Sequence, residues 1–350
     1  MPYKAIDLFA GVGGIRLGFE EAFGRSNVDT VFASEFEPYA VKTYAANFNN
    51  PTEGLPASSN HLLMSDAPKI YGDITKIDER DIPSFDICLA GFPCQAFSIA
   101  GRKKGFDDDY KGMSRGTLFF EVVRICEHHR PKVIFCENVK GLTMHDKGRT
   151  FEVIKGTLEE MHYKVFHKVL NSKNFGVPQN RERIYIVAFR SDIAPDSFEF
   201  PSHAGRQKAI RDILEEEAPS AKYYLSTQYL RTLEAHKQRH KDKGNGFGYV
   251  IRDLDDVAGA IVCGGMGRER NLIIDDRLTD FTPVTHIKGE VNRQGIRKMT
   301  PREWARLQGY PDSFDISSVA DVHLYKQFGN SVSVPVIKAI AKRIKGVLDA

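Results

Sequence analysis

Four short strings hold residue types that could carry out chemistry, and each follows or precedes an apolar run. Cys94 ends Gly91-Phe92-Pro93-Cys94-Gln95, after the apolar stretch Phe85–Ala90. A glycine–proline turn there would set a thiol at the rim of a sheet, where a nucleophile must be accessible and its thiolate favoured. A free cysteine more commonly ends as a small buried hydrophobe. That fate suits Cys88 and Cys136 inside strands and Cys126 inside a helix, and suits Cys94 poorly. Glu137-Asn138-Val139 ends the apolar run Val133–Cys136. A carboxyl at the edge of apolar packing tends to a raised pKa and can serve as an acid; capping the next turn is the plainer alternative. Gln179-Asn180-Arg181-Glu182-Arg183 would place two arginines on one face of an extended segment, as a ligand-orienting fork or a surface ion-pair cluster. Asp7-Leu8-Phe9-Ala10-Gly11-Val12-Gly13-Gly14 reads as a strand entering a glycine turn and then a helix, with or without a ligand on the backbone. Arg16 stands where a dinucleotide fingerprint wants its third glycine, so a dehydrogenase is excluded. Glu35 suits ribose hydroxyls and Asp73 an adenine amine; taken singly, each is a surface acid.

Taken together, a thiol, a carboxyl and an arginine fork beside an adenosine-type site suit addition of a thiolate to an electron-poor ring. Something must hold them at one edge. The first ~190 residues alternate β-branched runs with helical stretches, the signature of βαβ units and a doubly wound, mostly parallel sheet. Strands are predicted at Tyr3–Phe9, Thr30–Ser34, Phe85–Ala90, Val133–Glu137 and Ile184–Phe189, and helices at Ile15–Phe23, Pro38–Asn47, Leu118–His128 and Thr150–Met161. In such sheets ligands sit at the carboxyl ends of the strands. After Arg190 the regular alternation stops, and residues 191–296 read as a smaller, loop-rich domain. It holds a basic stretch, Arg231 to Lys243, open to two readings: a phosphate-contacting face or a solvated helix. Thr300-Pro301-Arg302-Glu303 starts a helix, and Val334 to Leu348 forms another with apolar residues at helical spacing. These elements divide the chain into 1–190, 191–296 and a final helical segment, 297–350.

Composition limits the field. The chain has 350 residues and a net charge of +3, with 41% hydrophobic and 27% charged residues, which excludes a strongly basic chromatin-type protein and an acidic disordered chain. No apolar run approaches the roughly 20 residues of a membrane span, and MPYKAIDLFAG lacks the pattern of a signal peptide. Five cysteines without a CxxC pair argue against a disulfide framework or a structural metal site and for a reducing cytosol.

The ordered strings DLFAGVGG, SEFEPYA, GDI, GFPCQAFSIAG, RGTLFF, CENVKGL, VPQNRERIYIV, RKMTPREWARLQGYPDSF and YKQFGNSVSVP closely resemble the DNA cytosine-5 methyltransferases over nearly the whole chain. The resemblance implies an S-adenosylmethionine-dependent methyltransferase fold with a smaller target-recognition domain, a return segment 297–350 that completes the catalytic domain, and a base-flipping reaction on a short duplex DNA sequence. Cys94 would attack C6 of the cytosine, Glu137 would act on N3, and Arg183 with Arg181 beside it would contact the base and steady Glu137. Phe9, Gly11, Val12, Gly14, Glu35, Phe36, Asp73, Ile74, Gly91 and Pro93 would line the cofactor pocket, with Asn330 and Ser331 returning to it. Phe36 stands where many members have tryptophan. Gln95, Ser98, Arg102 and Arg115 would meet DNA from the segment after Cys94, whose glycines read as hinges and basic residues as phosphate contacts. Arg268 and Arg270, in Cys263–Asn271, would read base edges. The resemblance further implies a monomeric bacterial cytoplasmic enzyme, no metal and no membrane partner, and a restriction endonuclease acting on the same sequence without a stable complex. Two rivals remain. RNA cytosine methylation is disfavoured by the long 191–296 segment, and a non-catalytic DNA-binding protein by the joint presence of Cys94, Glu137 and Arg183. An amino-group methyltransferase would need an Asn/Asp-Pro-Pro-aromatic string, which is missing.

Overall fold

The computed structural model describes residues 1–48, 70–93, 118–264, 267–284 and 289–350. The strands are β1 (Tyr3–Leu8), β2 (Val28–Ser34), β3 (Ile87–Ala90), β4 (Val133–Val139), β5 (Tyr163–Asn171), the two-residue β6 (Gln179–Asn180) and β7 (Glu182–Arg190). All but β6 form one sheet in the order β2-β1-β3-β4-β7-β5. β1 to β4 run parallel, and β7 is antiparallel to both β4 and β5. The sheet is thus α/β and mostly parallel, as the alternation of elements predicts. Strand β3 and the first four residues of β4, Val133–Cys136, read as unbroken apolar runs because every residue in them is buried. Edge strand β5 went unanticipated: half of its Tyr-Lys-Val-Phe-His-Lys-Val-Leu-Asn is polar, as an edge strand with exposed side chains requires.

Helices α1 (Gly14–Phe23), α2 (Pro38–Asn47), α3 (Leu118–His129) and α4 (Arg149–Glu160) cover the sheet with apolar stripes, such as Phe151, Ile154 and Leu158 of α4. α1 starts on Gly13 at φ +82°, where a Cβ would come within 2.2 Å of the Phe48 ring, so only glycine fits. α2 starts on Glu37, whose carboxylate accepts the Ala40 N–H at 2.8 Å.

The chain folds into two compact units. The sheet unit comprises 1–171, 182–202 and 336–350; the second comprises 172–181 and 203–335. The last helix belongs to the sheet unit: Ile337 packs on Gly18 of α1, and Tyr3 Oη donates to the Leu348 carbonyl at 2.9 Å. The other boundaries fall elsewhere than 190/191 and 296/297. A cut after 296 would separate Asp275 from Arg297, whose Nε–Oδ2 bond is 2.8 Å and fully buried, so 297–335 folds with the loops before it.

In the second unit, α5 (Thr227–Asp242), β8 (Ala258–Gly259), β9 (Leu272–Ile274), β10 (Ile296–Lys298), α6 (Pro301–Leu307) and α7 (Asp321–Asn330) precede α8 (Val334–Leu348), most of which belongs to the sheet unit. β8 pairs with β6, and β9 with β10. α6 begins where the sequence predicts a helix start, and it does so with a capping box: Thr300 Oγ1 accepts the Glu303 N–H at 3.2 Å, and Glu303 accepts the Thr300 N–H at 2.8 Å. No helix among the described residues is long and apolar enough to cross a membrane.

Candidate active site

β1 lies between β2 and β3, so the winding direction reverses there and opens a crevice at the carboxyl ends of the strands. The glycine turn follows β1. Phe9 and Gly11 both take φ +56°, and the Ala10 N–H bonds the Ser34 carbonyl at 3.0 Å, which ties the turn to the end of β2. Glu35, the residue after β2, is buried and accepts two backbone N–H groups at 2.8 Å, Gly11 on Oε2 and Glu37 on Oε1. Burial pushes its carboxyl above the ordinary value, while those N–H groups pull the other way. Phe36 beside it is 64% exposed. Tyr71 extends the edge by bridging to Ser34 in parallel and accepting the Glu35 N–H at 2.9 Å. Asp73 and Ile74 therefore follow close behind. Asp73 caps a short turn by accepting from Thr75 N and Oγ1, and Ile74 is buried.

Beneath the turn lies a buried polar cluster. Tyr44 Oη donates to Asp7 at 3.2 Å, and Arg16 donates to Tyr44 at 3.1 Å and to Glu20 at 2.6 Å. Burial raises the Asp7 carboxyl to about 8, against the opposing charge of Arg16 and the Tyr44 hydroxyl. The residue in the third-glycine position thus clamps α1 to α2, with its guanidinium also 4.5 Å from the Phe48 ring centre.

Further along, Gly91-Phe92-Pro93 follows β3. Asn138 Nδ2, buried, donates to the Phe92 carbonyl at 3.0 Å, so the end of β4 holds the residues just before Cys94. Cys94, Gln95, Ser98, Arg102 and Arg115 lie outside the described residues. Cys88, Cys126 and Cys136 are fully buried, and burial drives the Cys88 and Cys136 thiols well upward.

Because β7 is antiparallel, it enters the sheet at the edge where β4 leaves it. Val139 stands opposite Arg183 and Glu137 opposite Tyr185, making Glu137 and Arg183 diagonal neighbours. They form an ion pair, Nε to Oε1 3.2 Å, with side chains only 15% and 11% exposed. Arg181 goes elsewhere: its buried guanidinium donates to the carbonyls of Ile261 at 2.8 Å, Gly329 at 3.3 Å and Ser331 at 2.6 Å, all in the second unit. Gln179 does likewise, with Nε2 on the Leu307 carbonyl at 2.8 Å and Oε1 on the Ile261 N–H at 3.1 Å. The Gln179–Arg183 string therefore divides into two anchors of one unit and one partner for Glu137 in the other, and sequence reading missed the anchoring roles of Gln179 and Asn138. Asn330 and Ser331 also belong to the second unit; Asn330 is exposed, and Ser331 Oγ lies 2.6 Å from Tyr310 Oη. Arg268 lies 5.3 Å from the Tyr325 ring centre and Arg270 4.5 Å from that of Phe247.

The fold and site define an open, mostly parallel α/β protein with a glycine turn, a buried acid and a buried Glu–Arg pair at the carboxyl ends of its strands, where such sheets bind ligands. Residues 3–346 match the family model of C-5 cytosine-specific DNA methylases. Type II methyltransferase M.HpaII of Haemophilus parainfluenzae is 54% identical over 346 residues, covering 98% of this chain and 89% of that one. M.HhaI of Haemophilus parahaemolyticus is 36% identical, covering 99% and 95%. In fold, the chain is similar to the crystal structure of S. pombe Dnmt2, with TM-score 0.69 at 21% identity and coverage of 99% and 98%. The chain belongs to the C-5 cytosine-specific DNA methylase family, and it is an enzyme, a cytosine-5 DNA methyltransferase.

Proposed function

We propose that this enzyme methylates C5 of one cytosine within a short duplex DNA word, using S-adenosylmethionine and a covalent bond from Cys94 to C6 of a base turned out of the stack. The buried Glu137–Arg183 pair at the carboxyl edge carries this reading. The Cys94 thiolate adds to C6. Glu137 supplies or shares a proton at N3, so that the electrons displaced by sulfur collect at C5. Arg183 holds the Glu137 carboxyl in place and balances its charge; Arg181, spent on three carbonyls, is not the arginine that does so. Loss of the C5 proton later returns the electrons and expels Cys94.

S-Adenosylmethionine, when bound, supplies the electrophilic methyl group. The donor set at the edge suits its adenosine part: the Glu35 and Asp73 carboxylates for hydroxyl and amine donors, a turn with nothing within 4 Å of where a Gly11 Cβ would stand, and the exposed Phe36 ring. We assign Phe9, Val12, Gly14, Ile74, Gly91 and Pro93 to that lining, and Asn330 and Ser331 to cofactor binding as well. We further assign sequence choice to residues within 191–296, and phosphate and base contacts to Gln95, Ser98, Arg102 and Arg115. The enzyme acts as a monomer in the bacterial cytoplasm, within a restriction–modification pair whose nuclease recognises the same word.

Bisulfite sequencing of DNA from cells expressing the chain should reveal one methylated word. Duplex carrying 5-fluorocytosine at that cytosine should trap a denaturation-stable adduct, since fluorine blocks elimination. An adduct formed by Cys94→Ala, or methyl transfer to tRNA rather than duplex DNA, would overturn the reading.

A further inference from the structure

Phe247, in the glycine-rich Gly244–Gly248 segment, leaves its ring 54% exposed. A single exposed phenylalanine needs no explanation, but this one is a platform. The Arg270 guanidinium lies 4.5 Å from its ring centre, and His240 of α5 packs beside it at 5.8 Å with a 40° tilt. The turn that presents Arg270 is pinned on both sides. Glu269 is buried, accepting from Tyr229 Oη at 3.1 Å and pairing with Lys298 at 3.5 Å. Asn271 is fully buried, its amide accepting the Gly259 N–H at 2.8 Å and donating to the Gly259 carbonyl at 3.2 Å. Arg252 Nε donates to the Arg270 carbonyl at 3.2 Å. The backbone around Arg270 is thus held, while among the described residues no carboxylate or carbonyl takes its guanidinium. Arg268, two residues earlier, lies instead over the Tyr325 ring, which is 7% exposed.

We propose that Phe247 and Arg270 form one base-reading element: the flat ring holds the guanidinium fork, whose N–H edge takes O6 and N7 of one guanine in the major groove. This singles out Arg270 rather than Arg268 as the reader, and it rests on the duplex DNA reading above. The exposed Lys237, Arg239, Lys241 and Lys243 of the adjoining stretch add charge of the same sign on the element that His240 joins to the platform.

The test uses the full-length enzyme and its own methylated word, with each guanine replaced singly by 7-deazaguanine, which keeps base pairing and lacks the N7 acceptor. Wild type should lose about 5-fold or more in kcat/KM at one guanine. Arg270→Ala should lose about 5- to 150-fold on the normal word, the range for a good bidentate pair, and become indifferent to 7-deazaguanine at that position. Arg270→Lys should keep the salt dependence and still lose the discrimination. Phe247→Leu should lose part of it, and Phe247→Tyr should retain it. The proposal is overturned if Arg270→Ala weakens all duplexes alike, or if the 7-deaza penalty survives in it. Should Arg270→Ala fail to fold, Arg270→Lys and Phe247→Leu decide the matter by the same criteria. Absence of methylation by wild type would instead sink the reading on which the proposal rests.

Discussion

The sheet unit and the second unit are built on different interiors. In the first, Ala5, Ile6, Leu8, Ile87, Leu89, Ile134 and Phe135 are fully buried, and the ladders of the sheet satisfy the backbone; Glu35 and Glu137 stand at strand ends. In the second, short ladders leave much loop backbone unpaired, and buried polar side chains take over. Asn292 alone bonds the carbonyls of Leu225 at 2.7 Å and Ile296 at 2.8 Å, and accepts the N–H groups of Gln294 and Ile296. Arg297, 0% exposed, joins Asp275 to Glu303. A sheet places chemistry by register. A unit stapled through side chains can instead hold irregular loops in one shape, which suits a surface that must match a partner.

The largest test of that contrast is Arg297→Ala. It leaves buried Glu303 without its cation and Asp275 with Arg277 alone, and breaking a buried pair typically costs about 3–5 kcal/mol. Trp304, the only tryptophan in the sequence, is buried in the same unit against Tyr325, 4.9 Å between ring centres. Its fluorescence should report unfolding at markedly lower denaturant. An unchanged midpoint would mean that the ionic staple is dispensable and the contrast between interiors false.

Next in size is Glu137→Gln, which keeps shape and removes an acid. Turnover should fall roughly 10²-fold or more, as for loss of a general acid, with cofactor affinity and the Trp304 transition close to wild type. Weak cofactor binding with normal turnover at saturation would place Glu137 on the wrong partner.

The same contrast explains what could be read without a structure. Periods of 2 and 3.6 residues mark apolar faces, so the five predicted sheet strands and four flanking helices emerge within a few residues of their observed bounds. β5 escaped because Lys164, His167 and Lys168 break its apolar run. Position was legible where side chains follow strands: Glu35 and Glu137 stand, buried, at the strand ends where the apolar runs set them. It was not legible where direction depends on topology. Arg181 and Arg183 share a face in any extended segment, yet only the antiparallel entry of β7 brings Arg183 to Glu137. Asn138, Gln179 and Arg297 bond to groups 46, 128 and 22 residues away, and no local pattern announces such pairings.

Acidity should separate the two units by sign. Asp275 is pushed up by burial, but bonds from Arg277 and the charge of Arg297 outweigh this and bring it from 3.8 down to about 2. Its contribution is full above the ordinary value and lost as pH falls through about 2. Asp7 is the reverse: raised from 3.8 to about 8 by burial, its contribution is full below 3.8 and lost as pH rises through about 8. Acid should therefore loosen the Trp304 environment, while Asp7→Asn should flatten the decline in sheet stability between about pH 5 and 8, followed by hydrogen exchange of β1. A slope identical to wild type would show that Asp7 does not titrate there.

The smallest effect on stability belongs to α5, which buries only Leu233. Arg239 is exposed on it, and substitutions at such sites usually change stability by no more than about 0.5 kcal/mol, whereas Leu233→Ala should cost about 2–5 kcal/mol. Because Arg239→Ala leaves folding alone, any change in DNA binding belongs to the contact itself. A phosphate contact predicts uniformly weaker binding across sequences and a salt slope smaller by about 1, with the methylated word unchanged. If the slope stays at the wild-type value, the basic row on α5 is a solvated face and the DNA-facing surface of this unit must be sought around Phe247 and Arg270. If instead the methylated word changes, α5 reads bases, and the division between a positioning helix and a reading turn fails.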